Sequence, residues 1–199
     1  MLIAAALIVF AYLLGSLSSA IIISKLFGHA DPRSSGSGNP GATNVLRSAG
    51  KLPAALTLAG DVAKGVIPVV VAPHFTPDPA VIAVTGVAAF LGHLFPVFFG
   101  FRGGKGVATF IGVLTGLYWP LGLGFLGLWL VTALITRISS LSALTATALT
   151  PLLAWYLDLP PVQVAALVLM AVLLFIRHRG NISRLIRGEE SRIGQRKQV

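Results

Sequence analysis

Long runs without charge constrain this chain more than any other feature. Residues 2–24 carry no Asp, Glu, Lys or Arg before Lys25, and residues 106–136 carry none at all. A bilayer core takes about 20 apolar residues per helix, and in lipid every backbone N–H and C=O must be satisfied within the segment, which leaves helices for runs of this kind. Charged residues make up only 11% of the 199, and hydrophobic ones 55%, against roughly 25% charged in an ordinary soluble domain. Too few polar groups remain to cover a soluble surface. A soluble enzyme, a disordered tail and a nucleic-acid-binding module are excluded. The net charge of +9 is then read as the basic bias of loops between membrane spans, and no nucleic-acid partner is expected. There are no cysteines, so disulfides, thiolate metal sites and a cysteine nucleophile are absent.

Seven spans are expected: 2–24, 54–73, 80–99, 106–119, 121–136, 141–157 and 160–176. Read as one helix, 106–136 would rise about 46 Å, so it is divided at Trp119-Pro120, a pair suited to an interfacial turn. Charge supports the count. With the N-terminus outside, every Lys and Arg except Lys64 falls on inner segments 25–53, 100–105, 137–140 and 177–199. The outer segments hold only His74, Asp78 and Asp158 as ionisable side chains. Six spans would put Arg102 and Arg137 on opposite faces. Residues 1–24 lack a basic n-region and exceed a signal-peptide core, so they are read as a retained span. The expected fold is all-α: a polytopic membrane bundle of seven transmembrane helices, N-terminus outside and C-terminus cytoplasmic, forming a single integral membrane domain over 1–199.

Glycines recur within the spans, at Gly15, Gly60, Gly65, Gly86, Gly92, Gly112, Gly116, Gly122, Gly124 and Gly127. Gly112-Val-Leu-Thr-Gly116 is a small-xxx-small pattern that lets helices approach closely, either within one compact bundle or across a dimer seam. No repeat of the kind found in secondary transporters is present.

Polar residues gather in three clusters. The first, Asp31 to Arg47, contains Gly36-x-Gly38-x-x-Gly41. Its letters match a dinucleotide fingerprint, but no strand precedes it. The glycines can turn backbone N–H groups toward an anion, and Ser37, Asn39, Thr43, Asn44 and Arg47 add donors; the other reading is a linker. The second runs from Gly92 through His93 to Gly103-Gly-Lys-Gly106 and Thr109. It lacks the first glycine and the Ser/Thr of a Walker A loop, yet opens a helix, where N–H groups and the dipole favour phosphate and Lys105 adds charge; the other reading is a basic loop with turn glycines. His93, near the end of a span, either serves a site or bonds a neighbouring helix. The third is Arg177 to Glu190. His178, Asn181 and Arg184 recur at spacings of three, and Ile182, Leu185 and Ile186 form a stripe. It is either part of a site or an amphipathic basic tail on anionic lipid.

Asp61 and Lys64 stand i,i+3 inside the second span and can pair, either structurally or for catalysis. Ser140 or Ser142, after Arg137, caps a helix or reaches a ligand. The histidines are scattered, no metal set is visible, and no nucleophile–histidine–carboxylate triad stands out. Phosphate-competent groups on one membrane face suit an enzyme that joins a polar phosphate compound to a membrane-held amphiphile. Transport of a phosphorylated small molecule is the alternative, but it would place polar residues through the whole depth.

The order of the motifs is specific. Ser37-Gly-Asn-Pro-Gly-Ala-Thr-Asn-x-x-Arg47, then Gly92-His-x-Phe-Pro with Gly103-Gly-Lys-Gly-Val-Ala-Thr109, then His178-Arg-x-Asn-Ile-x-Arg-Leu-x-x-Gly-x-Glu190 resemble the bacterial acyl-phosphate:glycerol-3-phosphate acyltransferases, nearly end to end. The resemblance implies transfer of an acyl group from a long-chain acyl phosphate to the 1-hydroxyl of glycerol 3-phosphate, giving lysophosphatidic acid and phosphate, the first acylation of phospholipid synthesis. A monomer among membrane lipids is expected, multi-pass in the bacterial inner membrane, with a cytoplasm-facing site and neither cofactor nor metal. The His-x4-Asp pair of other acyltransferases is missing after both His93 and His178. Carried over, Ser37, Arg47, Lys105, His178 and Asn181 are the catalytic candidates. Gly38, Asn39, Gly41, Thr43, Asn44, His93, Gly103, Gly104, Gly106, Thr109, Ser142 and Arg184 would bind substrate, with Gly103 to Gly106 cradling the acceptor phosphate. Glu190, Asp61 and Lys64 are expected to be structural. The acyl tail is expected in a lipid-open groove between glycine-rich helices.

Overall fold

The computed structural model describes residues 1–194. Among them the regular structure is helical: α1 (Leu2–Gly15), α2 (Ser19–Leu26), α3 (Ala42–Ala49), α4 (Lys51–Val71), α5 (Pro79–Leu94), α6 (Val107–Leu117), α7 (Trp119–Thr136), α8 (Ser139–Tyr156), α9 (Pro161–Arg177) and α10 (Arg179–Ile186). Short 3-10 turns lie at Pro32–Ser34, Ala72–His74 and Val97–Phe99. Two compact units emerge, Met1–Trp119 and the chain from Pro120 onward.

The expected seven transmembrane helices are not found. Among the described residues three helical segments are long and apolar enough to cross a membrane: Lys51–His74, Pro79–Phe99 and Trp119–Thr136. Two bent pairs raise the number to five if each pair is one span, α1 with α2 (43°) and α9 with α10 (61°). A charge-free sequence is not by itself a continuous helix. The 106–136 run does divide into α6 and α7, but α6 has only 11 residues and rises about 16 Å, roughly half a bilayer core. Pro120 sits in the first turn of α7, where its missing N–H has no partner to lose. Helix α8 is diluted by Ser139, Ser140, Ser142, Thr145, Thr147 and Thr150. Residues 2–24 break after Gly15, where Ser16 Oγ turns back onto the Tyr12 carbonyl at 2.8 Å.

In the first unit α4 packs against α6, α5, α3, α2 and α1, and α1 also lies along α5. Glycine makes these approaches possible. A Cβ on Gly112 would run into the Val62 carbonyl oxygen, and one on Gly65 into that of Thr109. The small-xxx-small pattern is therefore used in the α4–α6 seam. Gly15 and Gly92 do the same for α1 and α5, against the Ala89 and Tyr12 carbonyls. Phe90 and Phe110 meet edge to face, 6.1 Å between centroids, among buried Val69, Leu94, Val113 and Leu114.

In the second unit α8 packs on α9, and α10 leaves the end of α9 across a 61° bend. Leu121, Phe125, Leu167, Met170 and Leu174 are fully buried. Leu123, Leu126, Leu130 and Leu134 of α7 remain exposed, a stripe at helical spacing suited to lipid.

Candidate active site

The first cluster is a loop knotted by its own side chains. Asp31 caps the turn before Pro32 and accepts from the Arg33 backbone at 2.9 Å. It also receives Arg33 Nη2 at 2.7 Å. The Arg33 hydrogen bonds hold the Asp31 carboxyl below the usual carboxylate range, and Asp31 in turn raises Arg33. Arg33 Nη1 then donates to the Phe99 carbonyl at 2.9 Å, which ties this loop to the turn following α5. Asn44 is 2% exposed. Its Nδ2 donates to the carbonyls of Pro32 (2.7 Å) and Ser35 (3.0 Å), and its Oδ1 accepts from the Ser37 N–H at 3.0 Å. This amide, expected on a substrate phosphate, is bonded within the loop. Ser37, Gly38, Thr43 and Arg47 lie at the surface of the unit, with Asn39 and Gly41 half-buried.

The second cluster is held against the end of α5. The Gly104 N–H donates to the His93 carbonyl at 3.2 Å. A side chain on Gly104 would overlap His93 Nε2, and Gly103 is pressed against the carbonyls of His93 and Leu94. Gly106 adopts φ +94° as the cap of α6, a conformation that glycine enters without steric cost. Lys105 is half-buried between these glycines, and Thr109 is buried one turn into α6. Thr109 Oγ1 has no hydrogen-bond partner among the described residues.

Beneath this turn lies a buried charge cluster. Lys64 Nζ stands 2.8 Å from Asp61 Oδ1, and His93 Nδ1 stands 3.7 Å from the same oxygen. Lys64 also donates to the Leu17 carbonyl at 2.8 Å, at the break between α1 and α2. The pairing of Asp61 with Lys64 follows from their spacing. The addition of His93 and Leu17 does not, because those contacts come from other helices.

In the second unit His178 sits at the α9–α10 bend, 3% exposed, with Nδ1 2.9 Å from the Leu174 carbonyl. A carbonyl only accepts, so Nδ1 carries the hydrogen of that contact. Glu190 gathers three donors: Ser140 Oγ at 2.7 Å, Asn181 Nδ2, and Arg184 Nε at 2.6 Å. Burial alone would raise the Glu190 carboxyl, but these hydrogen bonds and the Arg184 charge outweigh it and hold it low. Asn181 and Arg184 thus contact Glu190. Ser142 Oγ bonds the Ile138 carbonyl at 2.9 Å, within its own helix.

Within the first unit, loop 31–47 and the 97–99 turn meet through Arg33 and Phe99, and Asp61, Lys64 and His93 converge. Within the second, Ser140, Asn181, Arg184 and Glu190 converge. Sequence reasoning missed Arg33 as the tie between loops and Tyr12, whose hydroxyl donates to the Phe95 carbonyl at 2.8 Å. The Asp31-Pro32 pair, a cap followed by proline at the first helical position, was the available signal for the turn that aims Arg33. Among the described residues no group of three metal-ligating side chains is found.

Comparison with known proteins places these features. The sequence profile of the family described as glycerol-3-phosphate acyltransferase matches residues 5–188. The glycerol-3-phosphate acyltransferase of Thioalkalivibrio sulfidiphilus is 57% identical over 98% of this chain and 97% of its own. That of Methylococcus capsulatus is 53% identical over 96% of both. Among solved structures, the integral membrane glycerol 3-phosphate acyltransferase PlsY (YgiH) superposes in its glycerol 3-phosphate form with a TM-score of 0.92, 43% identity and 96% coverage of both chains. The form of that enzyme with lysophosphatidic acid gives 0.90 and 42%, over 96% of this chain and 95% of the other.

Proposed function

Because the chain belongs to the glycerol-3-phosphate acyltransferase family, we propose that it moves a fatty acyl group from acyl phosphate to the 1-hydroxyl of glycerol 3-phosphate. The products are lysophosphatidic acid and inorganic phosphate. It is a multi-pass protein of the bacterial inner membrane, and the whole chain works as one acyltransferase domain. The site opens to the cytoplasm, a reading supported by the basic residues that accompany all three motifs. The chain acts as a monomer, since its Gly112–Gly116 pattern is engaged in an internal seam.

One observation carries this reading: a turn of close-packed glycines holds a lysine at the start of α6, in a chain that matches the glycerol 3-phosphate and lysophosphatidic acid forms of a solved relative along nearly its whole length. Gly103, Gly104, Lys105 and Gly106 receive the acceptor phosphate, where N–H groups and the ammonium favour an anion. Ser37, Gly38, Asn39, Gly41, Thr43 and Arg47 hold the donor phosphate and the oxyanion that forms at its carbonyl. Asn44 serves by shaping their loop. His178 orients the reacting groups, and Asn181 and Arg184 act through Glu190.

Acyl phosphate is already activated, so positioning and charge stabilisation carry the catalysis. The 1-hydroxyl oxygen attacks the carbonyl carbon, the bond from that carbon to the phosphate oxygen breaks, and phosphate leaves. The hydroxyl proton passes to a substrate phosphate oxygen. Purified protein with palmitoyl phosphate and glycerol 3-phosphate, free of metal and coenzyme A, is expected to form lysophosphatidic acid. Formation only with acyl-coenzyme A, or uptake of glycerol 3-phosphate into sealed vesicles without acyl transfer, overturns the proposal.

A further inference from the structure

The mechanism above leaves one buried ionic group without a task. Asp61 and Lys64 are 2% and 4% exposed, deep in a helix that is otherwise apolar. Withdrawing two charges from water is costly, and a well-packed apolar pair often stabilises a fold as well or better. Stability alone is therefore a weak reason for such a pair. Its contacts indicate another. One carboxylate oxygen of Asp61 faces both the Lys64 ammonium at 2.8 Å and His93 Nδ1 at 3.7 Å. A carboxylate accepts and does not donate, so its field favours hydrogen on Nδ1 and fixes which edge of the ring turns inward. The opposite edge, at Nε2, lies against Gly104, and the Gly104 N–H bonds the His93 carbonyl at 3.2 Å. Lys64 fixes the other end by donating to the Leu17 carbonyl at 2.8 Å.

We infer that Asp61 is a positioning residue for the acceptor-phosphate turn: with Lys64 as its anchor, it orients His93, and His93 sets the place of Gly104 and thereby of the Gly103–Gly106 backbone. The chain of contacts runs from Leu17 through Lys64, Asp61 and His93 to Gly104 and joins four segments. The inference deepens the proposed function and rests on it, since it takes that turn to bind glycerol 3-phosphate.

A positioning role separates from a purely structural one in the kinetics. Asp61→Asn is expected to raise the KM for glycerol 3-phosphate about tenfold or more, while the KM for palmitoyl phosphate stays within about twofold. The double variant Asp61→Leu with Lys64→Leu removes both charges together and should fold, because no unpaired ion is left behind. It is expected to keep the raised KM for glycerol 3-phosphate and a Tm close to that of the parent. His93→Gln, which leaves the ion pair intact, is expected to show the same selective rise and decides the matter if Asp61→Asn does not fold. A double variant with the parental KM for glycerol 3-phosphate overturns the inference. So does a loss in which both KM values and Tm change together. Turnover by the parent protein tests the underlying reading separately: an inactive parent overturns both, whereas an active parent with unaltered variants overturns this inference alone.

Discussion

Arg33 spans two loops of the first unit, gripping Asp31 with Nε at 3.1 Å and Nη2 at 2.7 Å and donating from Nη1 to the Phe99 carbonyl at 2.9 Å. The Asp31 contact is local, within the cap of the same 3-10 turn, and holds the guanidinium in place, while the Phe99 contact comes from a distant part of the chain, so the residue braces loop 31–47 against the turn that follows α5. Arg33→Ala is expected to lower kcat/KM by a factor of about ten, with a small change in Tm, because the Asp31 pair is partly solvated. Hydrogen exchange should quicken at 32–40. Unchanged exchange there would remove the brace.

Lys105 stands within the glycine turn. Lys105→Ala is expected to raise the KM for glycerol 3-phosphate about tenfold or more, since an ammonium facing a phosphate contributes on the order of 1.5–3 kcal/mol. Steady-state kinetics with each substrate varied in turn will read it, and an unchanged KM would discard the assigned role.

Gly112 faces the Val62 carbonyl across the α4–α6 seam. Gly112→Leu must push the two backbones apart and is expected to cost about 1–3 kcal/mol, seen as a lower Tm of the protein in detergent. A Tm equal to the parent's would show that the seam yields freely.

Glu190 has a depressed pKa in the folded chain, held there by Ser140, Asn181 and Arg184 against its burial. A depressed carboxyl stabilises the fold above its unfolded value, near 4.5, and loses that contribution as pH falls through the lower folded value. Glu190→Gln is expected to reduce Tm at pH 7 and to flatten the fall in stability below about pH 4.5. Parallel Tm curves for the two proteins from pH 7 to the acid limit would contradict this.

His178 turns Nδ1 onto the Leu174 carbonyl at 2.9 Å, and an imidazole is the side chain of the third motif that titrates in the range a general base needs. With a substrate phosphate taking the proton, His178→Gln is expected to reduce kcat by about tenfold or less and to leave the shape of the pH–rate profile unaltered. A fall of about a thousandfold with loss of the profile's acidic limb would make His178 the base.

Much of this molecule was written locally. The charge-free run 106–136 announced that one helix could not hold it, and the chain does part at Tyr118, between α6 and α7. Gly112 and Gly116 announced a close seam. The break after Gly15 gave no such notice, since residues 2–24 are uniformly uncharged and hydropathy records length but not bends. Its polar counterpart, Lys64, is more than forty residues away in sequence. The same limit governed the site. Asn44 and Asn181 were visible as donors at motif positions, but a side-chain amide serves a ligand or its own chain equally well, and only the folded loop puts Pro32, Ser35 and Glu190 within their reach. The seven-span count failed for a related reason: a charge-free run records neither the shortness of α6, at 11 residues, nor the serines and threonines that dilute α8.

Gly15 and Gly92 bring the backbones of α1 and α5 so near that not even a methyl group fits between them. Gly65 and Gly112 close α4 upon α6 in the same way. A hydrocarbon chain is wider than a methyl group, so at these levels both junctions are shut to a fatty tail. The very positions that look most like a slot when spelled out as glycine are the ones from which oil is barred.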